Sequence, residues 1–226
     1  MRTVVIDSST LITLSMNCLL WTIDKLNDKT EFYITEEVGK ESIYNPLNSE
    51  KWAFGAIRIN KSAVKTMKVF RNSHKLRDGT EKLLELINNT FYAKGRAMKI
   101  IHRGEIESVV LAKYLSANVI ATDEKTMRLL IEAPNQVKNL LESKLHTSIR
   151  INNDNFRRMT DYLSGIEVLR SVDLISYCFE KGYLDSFLAG ECKGKKKLIW
   201  SLLWGLKYSG CAISRDEINE YIRELI

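Results

Sequence analysis

Cysteine is scarce in this 226-residue chain and never closely spaced. Cys18, Cys178, Cys192 and Cys211 form no C-x-x-C motif, and His74, His102 and His146 stand far from them. A zinc ribbon or finger is therefore not expected, and sparse unpaired cysteines suit a reducing compartment. Long apolar runs are also missing. Leu198–Leu206 is much shorter than a bilayer span, and the opening Met1–Asp7 segment ends in an acid instead of continuing as a signal core. A Gly-rich phosphate loop of the Walker or dinucleotide kind is absent, which argues against a nucleotide-cofactor enzyme. Internal repeats, low-complexity tracts and obvious linkers are lacking as well. These absences lead to the expectation of a soluble, cytoplasmic protein with no membrane partner.

What is present is an ordinary globular composition, 45% hydrophobic and 27% charged. That suffices for one substantial core, or one core with a large insertion, and excludes a disordered or collagen-like chain. The net charge is +6, and its distribution is uneven. Between residues 51 and 77 there is no acid, while Lys51, Arg58, Lys61, Lys65, Lys68, Arg71, Lys75 and Arg77 all fall there. These eight cations exceed the net charge of the whole chain, so the remainder is slightly acidic. Such a stretch is either a solvated face or a contact for a polyanion.

Short apolar β-rich runs alternate with amphipathic segments. Thr3–Ile6, Phe32–Ile34, Val119–Thr122 and Ile166–Leu169 read as strands, the first and third apolar enough to be buried on both faces of a parallel sheet. Helices are expected after Ser8–Thr10, from Thr35 to about Ile43, from Asp78 to about Tyr92, after Arg103, from Glu124 to Glu132, over Val172–Lys181 and Lys195–Tyr208, and from Arg215. The predicted fold is α/β: a three-layer α/β/α sandwich around a central parallel sheet, forming one domain over 1–226. Two stretches read as insertions into it: a basic arm at about 43–78, either a β arm with strand-like pieces at Ala56–Ile59 and Val64–Phe70 or an irregular insert, and a polar, mostly helical segment at about 135–164.

Two of the apolar strands end directly in an acid, at Asp7 and at Asp123. Ligands of open parallel sheets bind beyond the carboxyl ends of the strands, so the two acids are expected on one rim. Glu105 opens the helix that feeds the Asp123 strand, and Glu41 closes the helix after the second strand. Four carboxylates at one rim repel one another unless divalent cations neutralise them, and an all-oxygen donor set favours Mg²⁺ or Mn²⁺. A lone aspartate at a strand end also serves as a helix cap, and that reading of Asp7 stays open. Glu107, about 200° around the helix from Glu105, and Glu124 read as surface or supporting residues.

The segments VVIDSSTLI (Val4–Ile12), ITEEVGKES (Ile34–Ser42), RGEIESVVLA (Arg103–Ala112) and IATDEKTMR (Ile120–Arg128) resemble the successive acidic motifs of PIN-domain nucleases. GIEVLRSVDLISYCFEKGYL (Gly165–Leu184) is similar to the strand and helix that follow them in that family. The resemblance runs from residue 1 to about 215, and G-E-x-E at Gly104–Glu107 resembles a prokaryotic branch. It implies Asp7, Glu41, Glu105 and Asp123 as catalytic acids, with Asp7, Glu105 and Asp123 as metal ligands and Ser9 and Thr122 in support. It further implies a Mg²⁺- or Mn²⁺-dependent endoribonuclease, with RNA as partner and substrate. Phosphate contacts are expected from Lys61, Lys65, Lys68, Arg71, Lys99 and Arg103, and base stacking from Trp52, Phe54 and Phe70. Family members are often dimers, so a homodimer through apolar helices such as Leu198–Leu206 is a further expectation.

Two other readings compete. One is a non-catalytic RNA-binding or assembly module on the same fold. The other is a phosphatase of the haloacid-dehalogenase type, which needs a second Asp where Ser9 stands. A helix-turn-helix built from Lys207–Leu225 is a weaker third.

Overall fold

The computed structural model describes residues 2–188 and 194–226. Strand β1 (Arg2–Ile6) leads into helices α1 (Ser8–Met16) and α2 (Trp21–Leu26). One continuous helix is the simplest reading of that segment, but Cys18 takes a left-handed φ of 58° and divides it. The break brings Leu19, Leu20 and Ile23 together into the core. Strand β2 (Thr30–Thr35) is followed by α3 (Glu36–Gly39), a π turn over Lys40–Tyr44 and a short 3-10 turn at Pro46–Asn48. Next come α4 (Ala53–Thr66), β3 (Met67–Phe70), α5 (His74–Asn88), β4 (Phe91–Ala93) and β5 (Arg96–Ala97). Helix α6 (Arg103–Tyr114), β6 (Val119–Ala121), α7 (Lys125–Glu132), α8 (Pro134–Leu145) and β7 (Ile149–Ile151) follow. The chain ends with α9 (Asn153–Leu163), β8 (Glu167–Leu169), α10 (Ser171–Glu180), α11 (Lys195–Tyr208) and α12 (Arg215–Leu225).

The central sheet has the order β3-β2-β1-β6-β8, parallel throughout. Its middle strand shows why the opening run is apolar at every position. Val4 and Ile6 enter one core and Val5 the other, because alternate residues of a strand face opposite sides. Helices α1, α2, α4, α10, α11 and α12 contribute to the first core, and α5 to α9 to the second. The molecule is thus a three-layer α/β/α sandwich. Among the described residues, no helix is long and apolar enough to cross a membrane.

The basic stretch departs from the expected β arm. It forms α4 and β3, and β3 pairs in parallel with β2 as the edge strand of the central sheet. Ala56, Ile59 and Ala63 recur at helical spacing and are buried, whereas Lys61 and Lys65 point outward. The stretch therefore builds the sheet's edge instead of standing outside it. Segment 135–164 is mostly helical, as expected. Its strand β7 pairs antiparallel with β4 in a separate three-stranded sheet of order β5-β4-β7. Leu198, Ile199, Leu203 and Leu206 of α11 are buried in the chain's own core, together with Ile218 and Ile222 of α12. The last two helices are thus packed against the sandwich rather than held apart as a helix-turn-helix.

Candidate metal centre at the carboxyl rim of the sheet

Strands β2 and β3 lie to one side of β1, and β6 and β8 to the other. The strand order reverses between β1 and β6, and such switch points are where open α/β sheets bind ligands. Asp7 and Asp123 follow these two strands. Backbone bonds carry the sheet ladder into the site: Asp7 N donates to Ala121 O at 2.8 Å and Thr122 N to Leu169 O at 2.8 Å.

Asp7 is 2% exposed and caps α1. Its Oδ2 accepts from Ser9 Oγ at 2.6 Å, Ser9 N at 3.3 Å and Thr122 Oγ1 at 3.1 Å. Asp123 is equally buried, and its Oδ1 accepts from Ser171 N, at the start of α10, at 2.8 Å. Ser9 Oγ also accepts from Asp123 N at 3.0 Å, so one hydroxyl links the two strand ends. The remaining oxygens, Asp7 Oδ1 and Asp123 Oδ2, are buried and have no hydrogen-bond partner. Burial pushes the Asp7 carboxyl upward against the opposing bonds from Ser9, Ser8 and Thr122.

Glu41 reaches the same rim from the π turn. Ser8 Oγ donates to its Oε2 at 2.8 Å, and the carboxylate lies against Gly104 at the start of α6. Burial raises the Glu41 carboxyl, and Asp7 and Glu37 raise it further. Glu105 is raised to about 8 through burial and the charges of Asp7, Glu124 and Glu41, against a bond from the backbone N–H of His102. That bond, 2.7 Å from His102 N to Glu105 Oε2, commits one oxygen of Glu105 to capping its own helix. Of the two places expected for Glu107, surface or supporting, the surface one does not hold. It is 1% exposed, burial raises its carboxyl against the nearby Thr35, and Oε2 is unpartnered.

The acids share a physical setting. Asp7 caps α1, Glu124 caps α7, Glu105 closes the capping box of α6, and Asp123 takes the first N–H of α10. Four helix amino ends, each partially positive, thus offset part of the negative charge. The remainder fits a hard cation. Two aspartate oxygens lack partners, the donor set is all oxygen, and Mg²⁺ is commonly held by one or two carboxylates with water completing its shell. Among the described residues, no three His, Cys, Asp or Glu side chains are grouped as ligands for one ion. The expected trio of Asp7, Glu105 and Asp123 is therefore not grouped as a ligand set, and one oxygen of Glu105 serves its helix cap.

The expected phosphate contacts divide by position. Lys65 pairs with Asp24 at 2.7 Å and Lys68 with Glu31 at 2.6 Å, and Lys65 lies next to the amino end of β3, away from the acid rim. Arg103 is paired with Glu81. Lys61, Arg71 and Lys99 are exposed and, among the described residues, have no acidic partner. Arg71 directly follows the carboxyl end of β3. Of the aromatics, Phe54 is exposed with Arg58 over its ring, Trp52 carries Lys51 at 4.3 Å, and Phe70 packs edge-on against Tyr114.

Sequence reasoning missed Ser8, Gly104, Ser171 and the burial of Glu107. The signal for Ser171 was available: the first residue of a helix following a strand offers a free N–H to the rim. Comparison with protein-family models, curated proteins and solved structures finds no match for the chain.

Proposed function

We propose that the chain is a divalent-metal-dependent ribonuclease of the PIN type, hydrolysing phosphodiester bonds in RNA. The supporting observation is the pair of buried aspartates at the switch point, each with one oxygen fixed by the chain and the other without a partner. Buried polar atoms are almost always satisfied, and unpaired buried carboxylates are costly unless a cation meets them. Asp7 and Asp123 would hold Mg²⁺ or Mn²⁺. When bound, such an ion lowers the pKa of water and stabilises charge on the phosphate and the leaving oxygen.

The chain's own groups prepare that arrangement. By occupying Asp7 Oδ2, Ser9 and Thr122 leave Oδ1 as the free donor, and the Ser171 N–H does the same for Asp123. Glu41 and Glu105 stand beside the pair as further acids, whose ionised forms a bound cation would favour against the burial that raises both. Arg71 and Lys99, which have no acidic partner among the described residues, attract the polyanionic backbone.

A second reading, an RNA-binding module without cleavage, is favoured by the lack of a three-ligand group among the described residues. Cleavage of a labelled RNA panel in Mn²⁺, Mg²⁺ or EDTA, with Asp7→Asn and Asp123→Asn alongside, separates the two. Cleavage that survives EDTA or both substitutions overturns the metal-nuclease reading. RNA binding without cleavage in every metal selects the binding module.

A further inference from the structure

Helix α11 has two distinct faces. Leu198, Ile199, Leu203 and Leu206 fill the core. Trp200, Trp204 and Tyr208, spaced four residues apart, form a ladder along another side. The Trp200 and Trp204 rings lie 6.2 Å apart, and Trp204 and Tyr208 stack at 5.6 Å. Trp200 is 42% exposed and Tyr208 81%. Trp204, in the middle, is partly buried and packs against the core, whereas burial does not account for the exposed rings of Trp200 and Tyr208 on either side of it. Cations accompany them: Lys197 Nζ lies 4.0 Å from the centre of the Trp200 ring and the Arg215 guanidinium 5.6 Å from that of Trp204. The helix contains no acid, and of its lysines Lys195 pairs with Asp185 and Lys207 donates to Ile213 O, which leaves Lys196 and Lys197 for an outside anion.

We propose that this ladder is a stacking track for single-stranded RNA leading to the acid rim, an inference that rests on the nucleic-acid reading above. Two features select this occupant. Successive aromatic rings interleaved with cations are what binds single strands without regard to sequence, because every base presents a π face and every linkage a charge. The track is also continuous with the proposed site. Ala212, four residues beyond Tyr208, donates its N–H to Asp123 O at 3.3 Å, so at most about 14 Å of chain separates the ladder from the rim. A second copy of the chain is disfavoured. A two-fold contact through this strip would set one acid-free, lysine-bearing helix against another.

The test is fluorescence anisotropy with the full wild-type chain in EDTA, using a short unstructured labelled RNA, the DNA of the same sequence and the RNA annealed as a duplex. Trp200→Ala and Tyr208→Ala should each weaken single-stranded RNA binding roughly fivefold or more, the lower end of what one stacked base contributes. Trp200→Phe should restore most of the loss, and the duplex should bind weakly and be unaffected by either substitution. Equal affinity of wild type and alanine variants overturns the track and leaves the nuclease reading standing. Ladder-dependent binding by a chain that cleaves in neither Mg²⁺ nor Mn²⁺ supports the track and removes the nuclease reading. Tighter binding of DNA than RNA overturns the assignment to RNA. A changed elution volume with unchanged RNA affinity identifies the ladder as a contact between copies and overturns the proposal.

Discussion

Glu41 rests on Gly104. Its Oε1 lies 2.6 Å from the point that a Cβ at residue 104 would occupy, and Oε2 lies 2.8 Å away from the same point. The glycine is required by this approach and not by its own backbone, which is helical. Glu41 is thereby lodged between Ser8 of α1 and the first turn of α6.

Gly104→Ala should therefore displace the Glu41 carboxylate while leaving the fold intact. The atoms in the way belong to the end of a flexible side chain, and alanine is favoured over glycine in a helix by roughly 0.5–1 kcal/mol. Thermal unfolding is expected to be unchanged or slightly raised, with RNA cleavage reduced by roughly tenfold or more. Full activity in a well-folded variant would show that Glu41 has no part in the site.

Asp7→Asn and Asp123→Asn remove charge from buried positions. In EDTA, Asp7→Asn should unfold at a higher temperature than wild type, because it relieves repulsion with Glu41 and Glu105. Wild type should gain stability on addition of Mg²⁺ or Mn²⁺, about 2.7 kcal/mol at a hundredfold excess over the dissociation constant, and both variants should lose most of that gain. An identical metal-induced shift in all three proteins would place any bound ion elsewhere.

Stability without divalent ions should fall as pH rises. Glu105 ionises at about 8 in the folded chain against an ordinary value of 4.5, so the folded state holds more protons between those values. Asp7, Glu41 and Glu107 are raised as well and act in the same direction. Glu217 acts oppositely. Burial works against it, yet bonds from Ser214 and Arg170 hold it down to about 2, and its contribution is complete above 4.5. Denaturant midpoints in EDTA should thus decline from about pH 4.5 to about pH 8. A flat profile over that interval would contradict the crowding of these acids.

The cations should not contribute equally. Arg71→Gln and Lys99→Gln should weaken RNA binding and make the salt dependence shallower, by about 0.7 in log–log slope for each phosphate that is no longer neutralised. Lys65→Gln and Lys68→Gln, whose charges are matched by Asp24 and Glu31, should change little. Equal effects at all four positions would indicate diffuse attraction by the protein's basic surface as a whole.

Much of the sheet was legible because its strands carry short apolar runs bounded by polar residues. Val4–Ile6 and Val119–Ala121 bury alternate side chains in opposite cores, a pattern that polarity alone reveals. Strand β3 was harder. Met67–Phe70 is an edge strand with Lys68 and Val69 exposed, so its sequence lacks the apolar continuity of the centre. Helix α4 was obscured by its outward apolar residues, Phe54, Ile57 and Val64, which blur the 3.6-residue period. At the rim, Asp7 and Asp123 followed from the strand-end rule. The contact between Glu41 and Gly104 and the Ser171 N–H facing Asp123 join residues distant in sequence, and only the assembled fold brings them together.

The switch point has a consequence for the order in which the chain becomes competent. Asp7 follows β1, which is made before the other strands of this sheet, whereas Asp123 and the Ser171 amide that holds it come much later in the sequence. A nascent chain of the first hundred residues can pair β1, β2 and β3, yet it carries one aspartate facing an empty edge. The pair of free oxygens exists only after β6 and β8 have docked and α10 has begun. Under the proposed chemistry, a growing or truncated chain cannot cut the RNA around it, and the capacity to do so arrives together with the last strand of the sheet.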